Sequence, residues 1–397
     1  MKLIAGLLAA LVAGPAVTQD PSLPAFRALY EELVETNTTV SAGSCTLAAE
    51  RMAARMKTAG FTDGELTIFS TPEHPKHGGL VAVLPGRDPK AKAIMLLAHI
   101  DVVEAKREDW ERDPFTLVEE NGYFYARGAS DDKAQAAIWV DSLIRFRQSG
   151  FKPRRTVKMA LTCGEEGGPF NGAQWLTENR RELIDAEFAL NEGAGGQLTP
   201  AGKRVAHTVL AGEKTSQSFR LEARNAGGHS SRPTPDNAIY QLAGAVDRIG
   251  KYDFPVQVND TTLGFFTQMS AIIGGEMGGA MSAIAADPTN APAAATLRKD
   301  PAYRAVLGTT CVATQLEAGH APNALPQRAA ATINCRIFPG VSRAAVREEL
   351  IRVIADPNVT VSEPSARAGS DAGPPLTPRV MGPIRQVSEA MCGPGRK

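Results

Sequence analysis

The sequence predicts an α/β fold: a mainly parallel sheet with helices around it, and a second, ferredoxin-like domain inserted into it. Two patterns carry that expectation. From about residue 25 to 205 short apolar runs alternate with helical periodicities, as strand–helix–strand units require. Beyond residue 209 the order becomes β-α-β-β-α-β. The bulk numbers agree. A chain of 397 residues, 43% hydrophobic and 22% charged, can hold two or three domains with a sizeable core. Lys plus Arg (43) balance Asp plus Glu (43), so nothing marks nucleic acid as a partner. Five cysteines are too few for a disulfide scaffold.

The elements follow in order. Residues 3–17, LIAGLLAALVAGPAV, stand behind Lys2 and lead into small residues at Gly14 and Ala16. This stretch is too short to cross a bilayer comfortably and reads as a secretory signal over residues 1–18, with a buried N-terminal helix as the alternative. A periplasmic or secreted protein is therefore expected, without a membrane segment after signal removal, in a compartment that permits disulfides. Ala25–Thr58 carries helical spacing. Leu80–Leu84, Ala93–His99, Thr156–Thr162 and Phe188–Asn191 read as strands, and Lys133–Arg147 and Gly172–Glu178 as helices. The first domain is assigned residues 19–208. The inserted domain, 209–366, has strands at Ser216–Arg224, Gly308–Glu317, Ala329–Phe338 and Val359–Ser362, and helices at Asp236–Ile249 and Arg343–Ile354. Phe254–Val306, rich in Gly, Ala and Met, is read either as a helical excursion near a site entrance or as filler. ARAGSDAGPP, after Pro364, is a linker. Residues 367–397, with a helix at Pro378–Ala390, return to the first domain.

Polar residues gather where the strands end. His99 and Asp101 follow a strand, and at i and i+2 of an extended segment they face the same way. The carboxylate can orient a metal-bound imidazole, or the histidine is simply a satisfied one. Asp131 and Asp132 stand before a helix, either as caps or as oxygen ligands. Glu165 and Glu166 lie between glycines just after a strand, and Glu192 follows the next strand in the same way. Together His99, Asp131, Glu165, Glu166 and Glu192 fall at strand C-termini or a helix start, the edge at which open α/β sheets bind ligands. One histidine with several carboxylates suits a pair of divalent metals, zinc first. Such a pair activates water while a neighbouring glutamate moves its proton, which is metal-assisted hydrolysis.

The stretches LLAHIDVV, Trp110…Asp113-Pro114-Phe115, ARGASDDK, GEEGG, NEGAGG, GGHSSRP and NALP…NCRIFPG occur in this order. In this the chain, from about residue 25 to 390, resembles the di-zinc metallopeptidases that include glutamate carboxypeptidase, carboxypeptidase S, aminoacylase and succinyl-diaminopimelate desuccinylase. The long second domain and GHAPNALPQRA are most similar to the carboxypeptidase S-like branch. The resemblance implies two zinc ions: His99 and Glu192 on one, Glu166 on the other, Asp131 bridging. It implies Glu165 as general base, Asp101 orienting His99, and a cis peptide at Asp131–Asp132. It makes the inserted domain a lid and dimerisation domain, in which His229 reaches the partner's site to stabilise the oxyanion. Asn323 assists there, and Arg336 grips the substrate carboxylate. It also implies one more histidine ligand near the C-terminus. No histidine follows His320, so the ending MCGPGRK reads as truncated or frame-shifted and leaves the second zinc with Asp131 and Glu166.

The remaining histidines, His74, His77, His207 and His320, read as surface residues. Cys311 and Cys335 fall opposite each other if their strands pair about Asn323, and are either a disulfide or two buried thiols. Cys45, Cys163 and Cys392 have no evident partner. The function expected is a secreted zinc carboxypeptidase acting on peptides. The alternatives are an N-acyl amino acid deacylase and a truncated, inactive dimerisation homologue. A homodimer through the lid is the expected assembly.

Overall fold

The computed structural model describes residues 22–199, 201–364 and 375–392. The expected signal at 1–18 and all but the last residue of the linker at 366–375 lie outside them. The chain divides into two compact units, residues up to 192 and from 193 onward. No helix among the described residues is long and apolar enough to cross a membrane.

The first unit begins with α1 (Leu23–Glu35) and α2 (Cys45–Thr58), so the helical spacing of residues 25–58 belongs to two helices. Pro24 stands in the first turn of α1, where its missing N–H costs nothing. The Ser44 side chain caps α2 at Leu47 N. Then come β1 (Leu66–Thr71), β2 (His74–Leu84), β3 (Ile94–His99), β4 (Val118–Glu120), β5 (Tyr123–Tyr125), α3 (Lys133–Gln148), β6 (Val157–Thr162), α4 (Gly172–Asn179), α5 (Arg181–Ile184) and β7 (Phe188–Leu190). The sheet order is β1-β2-β6-β3-β7.

This sheet is mixed rather than mainly parallel. β3 pairs with β6 and β7 in parallel, but β1–β2 and β2–β6 are antiparallel. For β1 and β2 the physical reason is the turn at residues 72–73, which is far too short for the crossover that parallel neighbours need. It also takes His74 and His77 out of the expected polar loop and into β2, where both are half-buried. Helices cover both faces. Leu80, Ala82, Leu84, Leu96 and Ala98 pack with Leu33, Met52, Met56, Val140 and Leu143 of α1, α2 and α3. The alternate residues Val81, Met95 and Ala160 pack with Phe69, Phe170 and Leu176.

The second unit opens with the hairpin β8 (Gly196–Leu198) and β9 (Arg204–His207), followed by β10 (Thr215–Arg224), β11 (Gly228–His229), α6 (Ala238–Lys251), α7 (Asp260–Ile273), α8 (Gly275–Ala286), α9 (Ala291–Leu297), α10 (Pro301–Val306), β12 (Thr310–Ala318), β13 (Ala324–Leu325), β14 (Arg328–Ile337), α11 (Arg343–Ile354), β15 (Val359–Ser362) and α12 (Pro378–Cys392). The sheet order is β12-β14-β10-β15, antiparallel throughout, and α6 and α11 share one core with it. The unit starts at Gly193, earlier than the expected 209, and it includes α12, which the sequence reading returned to the first domain. The hairpin and α12 are tied together: Arg204 donates to Met391 O at 2.7 Å, and His207 Nδ1 lies 2.7 Å from Ser388 Oγ.

Residues 254–306 form four helices with a core of their own, built on Phe266, Met269, Met281, Ile284 and Leu297. One of the glycines that obscure the pattern has a packing reason. A Cβ at Gly278 of α8 would collide with the Ser270 carbonyl oxygen of α7. Cys311 and Cys335, opposite each other in the β12/β14 register, are disulfide-bonded. Cys45 and Cys163, read as partnerless, form a second bridge across 118 residues, a pairing that no local spacing announces.

Gly278→Ala should destabilise the chain by about 1–3 kcal/mol, the usual cost of forcing atoms into a packed interface. Denaturant unfolding checks this. An unchanged midpoint would show that α7 and α8 do not pack this closely.

Candidate metal centre

The three parallel strands end side by side, and each delivers acid or imidazole to the same edge. β3 ends at His99, in register with Thr162 of β6, and the chain continues from Thr162 into Cys163-Gly164-Glu165-Glu166. β7 ends at Leu190, two residues before Glu192. Asp131 arrives from the loop that opens α3. His99 Nε2 lies 2.9 Å from Asp131 Oδ1 and 3.5 Å from Glu192 Oε2. One ligand atom from each of these three residues falls within 4.8 Å of the others.

The other ring nitrogen settles the chemistry. Nδ1 faces two acceptors, the Asp101 carbonyl oxygen at 3.1 Å and Asp101 Oδ1 at 3.5 Å, so it carries a proton. Nε2, on a ring only 3% exposed, then looks at two carboxylates. Without a cation the imidazole must take a second proton. Burial opposes that, but Asp101 and Glu192 outweigh it and push the ring's pKa up to about 10. A divalent cation between Nε2 and the two carboxylates removes the conflict with neutral imidazole as donor, so the residues present fit a metal.

Around this group, Asp101 is 1% exposed and accepts the Glu165 and Glu166 peptide N–H groups at 3.3 and 3.0 Å. Glu165 lines a cavity of about 160 Å³ together with His99, Asn171 and Glu192. Burial first, then the Asp131 charge, holds the Glu166 carboxyl above the usual range. The Asp131–Asp132 peptide is cis. Asp132 does not cap α3. It is buried, its carboxyl pushed up to about 7 by desolvation and by the Glu192 charge. Among the described residues no further histidine joins the group, so the acids that could hold a second ion are Asp131 and Glu166.

Sequence reasoning missed Lys133. It is fully buried, and its ammonium donates to Thr36 O at 2.7 Å and Val34 O at 3.3 Å. Desolvation brings its pKa down to about 7. This ties the first turn of α3, just after Asp131, to the end of α1. A lysine set directly behind two aspartates was the available signal.

The second unit carries the other expected residues. His229 of β11 stands opposite Ala324 of β13, and Ser230 N donates to Asn323 O at 2.9 Å, so His229 and Asn323 are neighbours. His229 Nδ1 lies 2.8 Å from Ser231 Oγ and accepts the Ser231 N–H at 3.2 Å, an arrangement that suits a proton on Nε2. Arg336 lies at the opposite end of β14. From Arg328 to Arg336 alone the strand spans roughly 26 Å, so these residues do not meet within this unit.

Comparison with known proteins follows the same lines. The sequence profile of peptidase family M20/M25/M40 matches residues 95–378. N-fatty-acyl-amino acid synthase/hydrolase PM20D1 of Xenopus tropicalis is 32% identical over 303 residues, 70% of this chain and 54% of that protein. A probable carboxypeptidase S-like 2 of Dictyostelium discoideum is 31% identical over 290 residues, with the same two coverages. The chain thus spans about half the length of these relatives. Among solved structures, the M20 family metallo-carboxypeptidase Sso-CP2 of Sulfolobus solfataricus shares the fold. Its TM-score is 0.58 at 19% identity, over 86% of this chain and 78% of that one.

His99→Ala should weaken divalent-metal binding by about 10-fold or more, and Glu192→Gln should act in the same direction. Metal per chain after mild dialysis, by elemental analysis, checks this. Undiminished metal in His99→Ala would place the ion elsewhere.

Proposed function

The chain belongs to peptidase family M20/M25/M40, and on that premise we propose that it is a secreted, zinc-dependent carboxypeptidase that hydrolyses the amide bond of a C-terminal amino acid. One observation carries the reading: His99, Asp131 and Glu192 converge at the sheet edge beside a cavity that Glu165 lines. His99, Asp131 and Glu192 would hold one zinc ion and Asp131 and Glu166 a second, and such ions would supply Lewis acidity and a lowered pKa for bound water.

The chain's own residues do the rest. Glu165 takes the proton of the attacking water and returns it to the leaving nitrogen. Asp101 holds the His99 tautomer and, through two peptide N–H groups, the root of the Glu165–Glu166 loop. His229 offers an N–H at Nε2 to the developing oxyanion, with Asn323 beside it. Arg336 has no carboxylate partner among the described residues, and its planar fork is free to bind the substrate's carboxylate.

The second unit serves in this reading as a ferredoxin-like lid and dimerisation domain. Two features support a homodimer. Arg336 and the His229–Asn323 pair are too far apart within one copy to grip one small substrate. The nine-residue edge strand β12 also exposes Val312 (59%) and Leu316 (66%), a surface that a second copy would cover. The two disulfides support an exported protein, periplasmic or secreted.

A second reading keeps the same chemistry on N-acyl amino acids. The name of the Xenopus tropicalis relative favours it, and Arg336 would grip the same carboxylate. Panels of dipeptides and N-acyl amino acids separate the two.

Glu165→Gln should lower turnover by about 10²–10⁴-fold and spare metal content. Retained turnover would remove Glu165 as the base. Equal amounts of His229→Ala and Glu165→Gln chains, exchanged into mixed dimers, should regain roughly a quarter of wild-type activity, because half of the dimers then hold one intact site. No recovery in confirmed mixed dimers would contradict sharing.

A further inference from the structure

The candidate base and one candidate ligand sit on a loop with little stiffness of its own. Gly164, Gly167 and Gly168 all have positive φ (88°, 126° and 108°), and they flank Glu165 and Glu166. Such a segment has much conformational entropy to lose before two carboxylates stand still. The far root of the loop is well held: Gly172 N donates to Cys163 O at 2.7 Å, and Asn171 Nδ2 donates to Gly164 O at 2.9 Å. The near root is Cys163, the residue directly before Gly164. It is 3% exposed and bonded to Cys45, which is 2% exposed and begins α2.

The partner end of this bridge is also part of the site's frame. Just before Cys45 runs the turn of residues 36–44, which lies along the segment after His99. Thr38 O accepts Val102 N at 3.4 Å, and Thr36 O accepts the buried Lys133 ammonium. Ser41 N and Oγ donate to the Glu104 carboxylate at 2.9 and 2.8 Å. The bridge therefore joins the loop that bears Glu165 and Glu166 to the turn that backs His99, Asp101 and Lys133. The two are far apart in sequence, and the covalent link between them crosses 118 residues.

We propose that Cys45–Cys163 is a positioning disulfide: it fixes the root of the Glu165–Glu166 loop where both peptide N–H groups reach Asp101. The inference rests on the reading of Glu165 as base and Glu166 as ligand. Cys311–Cys335 is the internal control, because it joins adjacent strands of the other unit. A site with this bridge matures fully only where disulfides form.

The test compares full-length C45A/C163A with C311A/C335A and wild type. Two readouts are taken on each: zinc affinity by competition with a chromophoric chelator, and kcat and KM on a dipeptide or N-acyl amino acid. C45A/C163A should keep a cooperative unfolding transition, bind zinc at least about 10-fold more weakly and lose at least about 10-fold in kcat, with KM within about threefold. C311A/C335A should match wild type in both. Unchanged zinc affinity and kcat in folded C45A/C163A would overturn the proposal. Should the wild type turn over no amide, the zinc readout still decides the positioning role, and only the proposed activity falls. Should C45A/C163A not fold, wild type refolded under a phosphine reductant is measured in the same way. Failure of both to fold would overturn positioning in favour of a folding staple.

Discussion

The site depends on one buried carboxylate. Asp101 accepts from the His99 ring and from the Glu165 and Glu166 peptide groups, so a single side chain registers the end of β3 against the loop that follows β6. Burial alone would push its carboxyl up. The imidazole beside it and the two N–H groups reverse that and hold it below the usual range. An ionised Asp101 keeps the proton on His99 Nδ1, and that in turn aims the Nε2 lone pair at Asp131 and Glu192. Replacement by an apolar residue would release three donors in a dry environment, which is the costly way to lose a hydrogen bond.

The sheet explains why so few residues suffice. Parallel strands end at one edge, so β3, β6 and β7 bring His99, Glu165–Glu166 and Glu192 together although they lie far apart in sequence. The buried Lys133 then sets the start of α3 beside them. The two antiparallel strands β1 and β2 extend the sheet away from this edge and contribute to the cores on both of its faces.

Much of this was legible in the sequence. The runs at Ala93–His99, Thr156–Thr162 and Phe188–Asn191 are short, apolar and followed by charge, which is how buried parallel strands with a functional edge read. Arg343–Ile354 and Val359–Ser362 match their elements residue for residue. What stayed hidden has common physical causes. The half of β2 with His74 and His77 is polar because it lies next to the hairpin turn at the sheet's margin, and polarity there mimics a loop. Residues 254–306 bury Ala280, Ala293 and Ala294 and a tightly approached Gly278 among their larger core side chains, so the wide apolar stripe on which periodicity relies is interrupted. Cys45 and Cys163 meet only through tertiary structure, and spacing carries no trace of that. Lys133 was visible, but a lysine at a helix start is ordinarily solvated.

A metal ion at the carboxyl edge of the sheet, on His99 Nε2, Asp131 and Glu192, is what the proposed chemistry requires. Anomalous diffraction at the zinc edge, on crystals of the zinc-loaded chain, tests it most directly. A peak is expected within about 2.0–2.2 Å of His99 Nε2 and of an oxygen from each of the two carboxylates. A zinc peak held by other side chains, or none at this edge in a chain shown to be loaded, would contradict it.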